Sequence, residues 1–135
     1  MAKVFPFEIH TPYRLFYSGS VEAVVITLTD GEIGVYAGHS FFTAPAVTGV
    51  LKIREKGGLW RSAFTTEGIL EVTSHRTVLM ADAAEWPQEI DYERALAAKQ
   101  KAEEILRTAM FKFETENAKA TLKRAECRMK VYGLK

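Results

Sequence analysis

The chain is nearly bare of cysteine: Cys127 is the only one among 135 residues. A single thiol excludes an internal disulfide and any metal site built on paired cysteines, and it fits a reducing compartment. Net charge is almost absent, +1 from 18 Lys and Arg against 17 Asp and Glu. There is no general reason here to expect nucleic acid or an anionic bilayer as partner. No apolar run approaches the ~20 residues needed to span a bilayer. The opening Met1-Ala2-Lys3-Val4-Phe5-Pro6 has neither the apolar core nor the cleavage site of a signal peptide. The expected location is therefore cytoplasmic, with any membrane association made through a partner. The three histidines, His10, His39 and His75, are far apart and match no metal-ligand spacing. Gly-x-Ser-x-Gly, the P-loop, Gly-x-Gly-x-x-Gly and a carboxylate pair in a shaped setting are all missing. Cys127 has no histidine near it in sequence, so nucleophilic catalysis has nothing to rest on.

What is present falls into two compositions that meet near Pro87. Before it, β-branched and aromatic residues alternate with polar ones, and eight of the nine glycines lie there; after it come Ala, Glu, Lys, Arg and Leu. The first part reads as strands and the second as helices. Strands are expected over 4–10, with Pro6 suiting an edge, over 14–17 before a Ser18-Gly19 turn, and over 20–29. The last is apolar on both faces in its middle, which marks a central strand. Residues 50–55 and 59–65 flank Lys56-Gly57-Gly58, a hairpin signal, and 69–74 and 77–81 flank His75-Arg76. The fold class is α+β, mainly β: an N-terminal antiparallel β-sandwich or flattened barrel, residues 1–86, followed by a C-terminal two-helix antiparallel hairpin, residues 87–135.

In the second part Asp91 is a candidate helix N-cap. Ala95, Ala98, Ala102, Ile105 and Ala109 step at three and four residues, and the stripe runs on into Met110 and Phe113. Leu122, Ala125, Met129 and Tyr132 repeat the spacing. Alanine on such a seam lets two helices approach closely. No Gly or Pro separates the stripes. Break chemistry is confined to Glu114-Thr115-Glu116-Asn117, so a folded hairpin and one long helix both stand at this point.

Two stretches carry candidate function. Residues 31–39, with three glycines, read as a sculpted loop that leads into Phe41 and Phe42, while Pro45 is expected to block regular pairing. Exposed phenylalanines on such a loop suit a contact surface; His39 is as well explained by a hydrogen bond within the loop. The second stretch is Ile90-Asp91-Tyr92-Glu93-Arg94-Ala95. In a folded hairpin, Arg94, Arg124 and Arg128 would converge near Asp91 and Glu85. Guanidinium forks beside a carboxylate and a helix N-terminus make a sensible nucleotide site. The plainer reading is a cap at Asp91, an Arg94 ion pair with Asp91 or Glu85, and solvated arginines. The last turns are basic in their own right, with Lys119, Lys123, Arg124, Arg128, Lys130 and Lys135 against Glu126 alone. They form either a solvated face or a docking surface for an acidic partner.

These pieces, in this order and spacing, resemble the epsilon subunit of bacterial F-type ATP synthases. The resemblance rests on residues 31–39, Pro45, Gly49, Gly68 with Ile69-Leu70-Glu71-Val72, Ala81-Asp82-Ala83, residues 90–95 and Leu122-Lys123-Arg124-Ala125. It implies a non-catalytic rotor subunit on the cytoplasmic face of the plasma membrane. The sandwich would bind the gamma subunit and the c ring, with Glu32, His39, Phe41 and Phe42 in the contact. The helices would inhibit ATP hydrolysis when extended, with Lys123, Arg124 and Arg128 meeting the beta subunits (and alpha beside them). In some bacterial members ATP binds the folded hairpin through Ile/Leu-Asp-x-x-Arg-Ala. That pattern maps onto Glu85, Ile90, Asp91, Arg94, Ala95, Arg124 and Arg128. Lys101 stands where a tight-binding pattern has arginine, which keeps the charge and loses the fork. The resemblance implies no prosthetic group and ATP as a regulatory ligand; nothing in the pattern bears on magnesium. Nucleic acid is not expected, because the chain is near neutral and few aromatics stand among the basic residues. The alternative is a purely structural rotor adaptor without nucleotide sensing, and a third possibility is an unrelated small β-sandwich enzyme.

Overall fold

The computed structural model describes residues 3–134. Met1, Ala2 and Lys135, which the domain bounds and the basic tail include, lie outside the described residues. Nine strands run β1 Phe5–His10, β2 Leu15–Leu28, β3 Gly31–Tyr36, β4 Phe42–Ala46, β5 Gly49–Glu55, β6 Trp60–Thr65, β7 Gly68–Val72, β8 Thr77–Ala81 and β9 Ala84–Glu85. A short 3₁₀ turn at Pro87–Glu89 leads into α1, Tyr92–Thr108, and α2, Lys112–Tyr132.

The sandwich is one sheet folded on itself around β2. The first half of β2 pairs with β1, from Phe5↔Val21 to His10↔Leu15. Its second half lies between β3 and β5. The β5 register shifts between Val21 and Ala23, a bulge at the point where the strand passes from one layer to the other. Between the layers Phe7, Ile9, Val21, Val24, Val35, Leu51, Ile53, Leu70 and Leu79 are fully buried. A Cβ built on Gly68 would lie 1.9 Å from the Met80 carbonyl oxygen, so only glycine lets β7 come this close to β8.

Three expectations for this part need correcting, and one pairing departs from the antiparallel rule. Ser18-Gly19 is not a turn: Ser18 pairs with Glu8 and Gly19 with Phe7, and the Tyr17 ring lies over Gly19 in place of a side chain. β1 and β2 are joined by the turn at Thr11-Pro12, where Thr11 Oγ1 accepts from the Arg14 backbone N–H at 3.2 Å. Residues 31–36 are a strand rather than a loop. Of the stretch's three glycines only Gly31 (φ 126°) and Gly38 (φ 80°) need positive φ, and they mark the strand's ends. Pro45 sits inside β4 opposite Ile69. β4 touches β2 only at Leu28↔Ala46, so it is a near-edge strand on which a missing N–H is tolerated. The sandwich is antiparallel except where β1 runs parallel to β8.

The tail is a folded hairpin. Asp91 caps α1, its Oδ1 accepting from the Arg94 backbone N–H at 3.1 Å. Ala95 and Ala102 of α1 and Ala118 and Ala125 of α2 are the alanines buried along the seam. The break lies at 109–111, before the expected 114–117. Ala109 turns extended (ψ 134°), and Phe111 starts α2 with no side-chain cap. Thr115 Oγ1 donates back to the Phe111 carbonyl. Met110 (87 % exposed) and Phe113 (66 %) project into solvent rather than continuing the seam. The hairpin rests on the sandwich through a small apolar cluster of Val50, Phe64, Ile90 and Val131, with Cys127 and Tyr132 at its margin. Burial pushes the Cys127 thiol up from its ordinary range, which keeps it protonated.

Candidate functional site

Where α1 starts beside the end of α2, a cleft of about 360 Å³ opens against the sandwich. Glu85, Glu89, Asp91, Arg94, Ala95, Ala98 and Arg128 line it. Each charge is placed by a different element. Glu85 lies on β9 and pairs with Phe64 of β6, which fixes its backbone in a sheet. Arg128 comes down from α2, 43 residues away in sequence. Its Nε donates to Glu85 Oε1 at 3.0 Å and its Nη2 to Oε2 at 3.2 Å, a two-pronged contact. Its guanidinium carbon stands 4.5 Å from the centroid of the Phe64 ring. Both side chains keep close to a third of their surface, so the pair is worth on the order of 1 kcal/mol.

The remaining carboxylates are engaged elsewhere. Glu89 accepts from Arg14 Nη2 at 2.9 Å and from the Trp86 backbone N–H at 2.9 Å. Asp91 caps α1. Arg94 is exposed and makes no ion pair among the described residues. The cleft thus offers one free guanidinium, one held guanidinium, and the first turn of α1, where backbone N–H groups and the helix dipole favour an anion.

Of the residues singled out in the sequence, Glu85, Asp91, Arg94, Ala95 and Arg128 meet in this cleft. Ile90 and Arg124 are not in its lining. Ile90 is buried under α2 with Val50, Phe64 and Val131. Arg124 is half-buried one helical turn nearer the start of α2. Lys123 is exposed on that helix. Reading the sequence missed Glu89, Ala98 and the Phe64 seat of Arg128. Ala98 was visible as one step of the α1 stripe, and Glu89 as an acid two residues before the cap. Phe64 gave no local signal.

The other candidate residues do not share one end of the sandwich: Glu32 pairs with Thr27 beside the β2–β3 turn, whereas His39, Phe41 and Phe42 follow the opposite end of β3, near β1 and the β7–β8 turn. Glu32 is exposed on β3 and Phe41 is 68 % exposed. Phe42 instead packs partly against the main core, with the His39 ring 5.1 Å from its own. His39 Nδ1 lies 3.1 Å from the Ser40 carbonyl.

Comparison with known proteins bears on the whole chain. Residues 4–87 match the family described as ATP synthase, Delta/Epsilon chain, beta-sandwich domain, and residues 88–133 its long alpha-helix domain. An ATP synthase epsilon chain from Caldanaerobacter subterraneus subsp. tengcongensis is 46% identical over 132 residues, covering 97% of this chain and 95% of the relative. One from Caldicellulosiruptor saccharolyticus is 44% identical, covering 94% and 92%. Among solved structures, a chain of the Euglena gracilis mitochondrial ATP synthase (OSCP/F1/c-ring, rotational state 1) superposes with a TM-score of 0.83 at 19% identity, over 98% of this chain and 82% of that one, which speaks to the fold. No helix of the described residues is long and apolar enough to cross a membrane. The chain belongs to the ATP synthase epsilon chain family, whose members are non-catalytic subunits of the central stalk.

Proposed function

We propose that this chain is a regulatory rotor subunit whose helical hairpin senses ATP. The sandwich, residues 1–86, docks on the gamma subunit and the c ring, with Glu32, His39, Phe41 and Phe42 at the contact. The hairpin, residues 87–135, is the mobile element, peripheral to the cytoplasmic face of the plasma membrane. Folded, it leaves ATP hydrolysis free. Extended, it inhibits, with Lys123, Arg124 and Arg128 meeting the beta subunits and alpha beside them. ATP binding to the folded form favours the non-inhibiting state by its differential affinity alone.

The observation that carries this reading is the cleft, where Arg94, Arg128, Asp91 and Glu85 converge from α1, α2 and β9. Arg94 and Arg128 would take the phosphates, with a carboxylate left for ribose or base. The uncapped break at 109–111 supports the two-state hairpin, because no side-chain cap bond has to be given up when it straightens. Calorimetric titration of the chain with ATP and then ADP is the test, repeated on Arg94→Ala and Arg128→Ala. Preference for ATP, lost in both variants, is the expected result. No heat at millimolar ATP would reject nucleotide sensing. In the assembled enzyme, removing residues 88–135 should raise ATP hydrolysis, and unchanged turnover would reject the inhibitory role.

A second reading, a structural rotor adaptor, is favoured by one observation. Arg128 already has a carboxylate partner in Glu85. Under that reading Arg128→Ala loosens the hairpin and has no effect on nucleotides.

A further inference from the structure

The two guanidinium groups of the cleft stand differently towards an incoming anion. Arg94 is exposed and in no ion pair among the described residues. Arg128 donates two hydrogen bonds to Glu85, at 3.0 and 3.2 Å, on a seat made by the Phe64 ring. That seat is firm, because Glu85 and Phe64 are ladder partners in the sheet. The other two acids of the cleft leave Arg128 alone: Glu89 is held by Arg14 and the Trp86 N–H, and Asp91 by the start of α1. A carboxylate and a phosphate ask for the same pair of parallel N–H donors, so one fork serves one of them at a time. The apolar cluster that seats α2 on the sandwich is small, centred on Val50, Phe64, Ile90 and Val131. An ion pair bridging the same two bodies adds a directional tie beside that cluster.

The geometry points to Glu85 as a built-in competitor: it latches α2 to the sandwich through Arg128, and it sets a threshold that admits only anions able to engage Arg94 and Arg128 together. An orthophosphate brings too little charge to displace the carboxylate; a chain of phosphates brings enough. The latch stands on the ion pair by itself. The threshold rests on the proposal above that a polyphosphate enters this cleft.

The test uses the full chain, with inorganic tripolyphosphate and orthophosphate as probes, so that no base or ribose contact enters. Glu85→Gln keeps the shape and removes the competing charge. It should bind tripolyphosphate about tenfold more tightly than the parent chain, and its preference for tripolyphosphate over orthophosphate should narrow. Without ligand, amide hydrogen exchange along α2 should quicken in Glu85→Gln and in Arg128→Gln, and the double variant should go no further than either. Equal or weaker tripolyphosphate binding in Glu85→Gln overturns the threshold. Unchanged α2 exchange in the single variants, or additive effects in the double, overturns the latch. If the parent chain fails to bind ATP while Glu85→Gln gains tripolyphosphate, nucleotide sensing falls and this inference survives. If ATP binds and depends on Arg128 while Glu85→Gln gains nothing, this inference alone falls.

Discussion

The sandwich and the hairpin are stabilised in different ways. The sandwich encloses large side chains with no exposure at all, among them Phe7, Ile9, Leu51, Ile53, Leu70 and Leu79. The hairpin buries alanines along its seam and commits only a few larger side chains, chiefly Val131, to the sandwich. A buried alanine brings little apolar area, so it specifies close approach more than it supplies free energy. The sandwich is built to stay folded whatever the tail does. The hairpin's attachment is the smaller of the two apolar clusters. The release proposed above would draw on this asymmetry between platform and tail.

The comparison breaks first if the core does not carry the sandwich. Phe7→Ala empties a fully buried position and should cost about 3–5 kcal/mol in urea unfolding. The same measurement on a chain without residues 88–135 should give a cooperative transition with the sandwich's midpoint nearly retained. A truncated chain that unfolds without cooperativity would show that the platform needs its tail.

The sequence displayed this division more clearly than it displayed the details on either side. Alternation and turn glycines revealed most strands, the Gly57-Gly58 hairpin and the cap at Asp91, because those signals act within a few residues. Residues 31–36 misled because two turn glycines and a strand glycine stood together. Gly34 is covered by the Tyr36 ring, a compensation that appears only once the strand is formed. The helix break misled for the opposite reason. It has no cap chemistry: α1 ends where Ala109 turns extended, and Phe111 opens α2 without a side-chain cap. The parallel β1–β8 pair and the Arg128–Glu85 contact join distant parts of the chain, and no local pattern encodes either. The candidate site was therefore legible as a list of charges. Which guanidinium was free and which was held was not.

A smaller substitution sharpens the comparison from the hairpin side. Val131 is fully buried where α2 meets Val50, Phe64 and Ile90. Val131→Ala removes about 1.5–2.5 kcal/mol of docking. The loss should appear as faster amide exchange through α2 while the β-strand amides keep their rates. Equal acceleration in both regions would mean that the two unfold as one unit.

The smallest effect lies where the regions meet. Tyr17 packs edge-on to Trp86, with ring centroids 6.0 Å apart, just before the turn into the tail. Its hydroxyl donates to Glu55 Oε2 at 2.9 Å. Burial first, and then the Glu55 carboxylate, push its ionisation from 10.0 up to about 12, while the nearby Arg61 guanidinium pulls weakly the other way. The folded chain therefore holds this proton after the unfolded chain has begun to release it. The contribution to stability is fully present below about pH 10 and is lost as the pH rises through about 12. Tyr17→Phe removes the ionisable group, so the difference in urea midpoint between parent and variant should be constant from pH 7 to 9 and shrink above pH 10. Because Tyr17, Glu55 and Arg61 all lie on the sandwich, the chain without residues 88–135 should show the same alkaline slope. A slope that disappears with the tail would mean that the hairpin helps to bury Tyr17, and that the platform's edge is tied to its releasable element more closely than its core suggests.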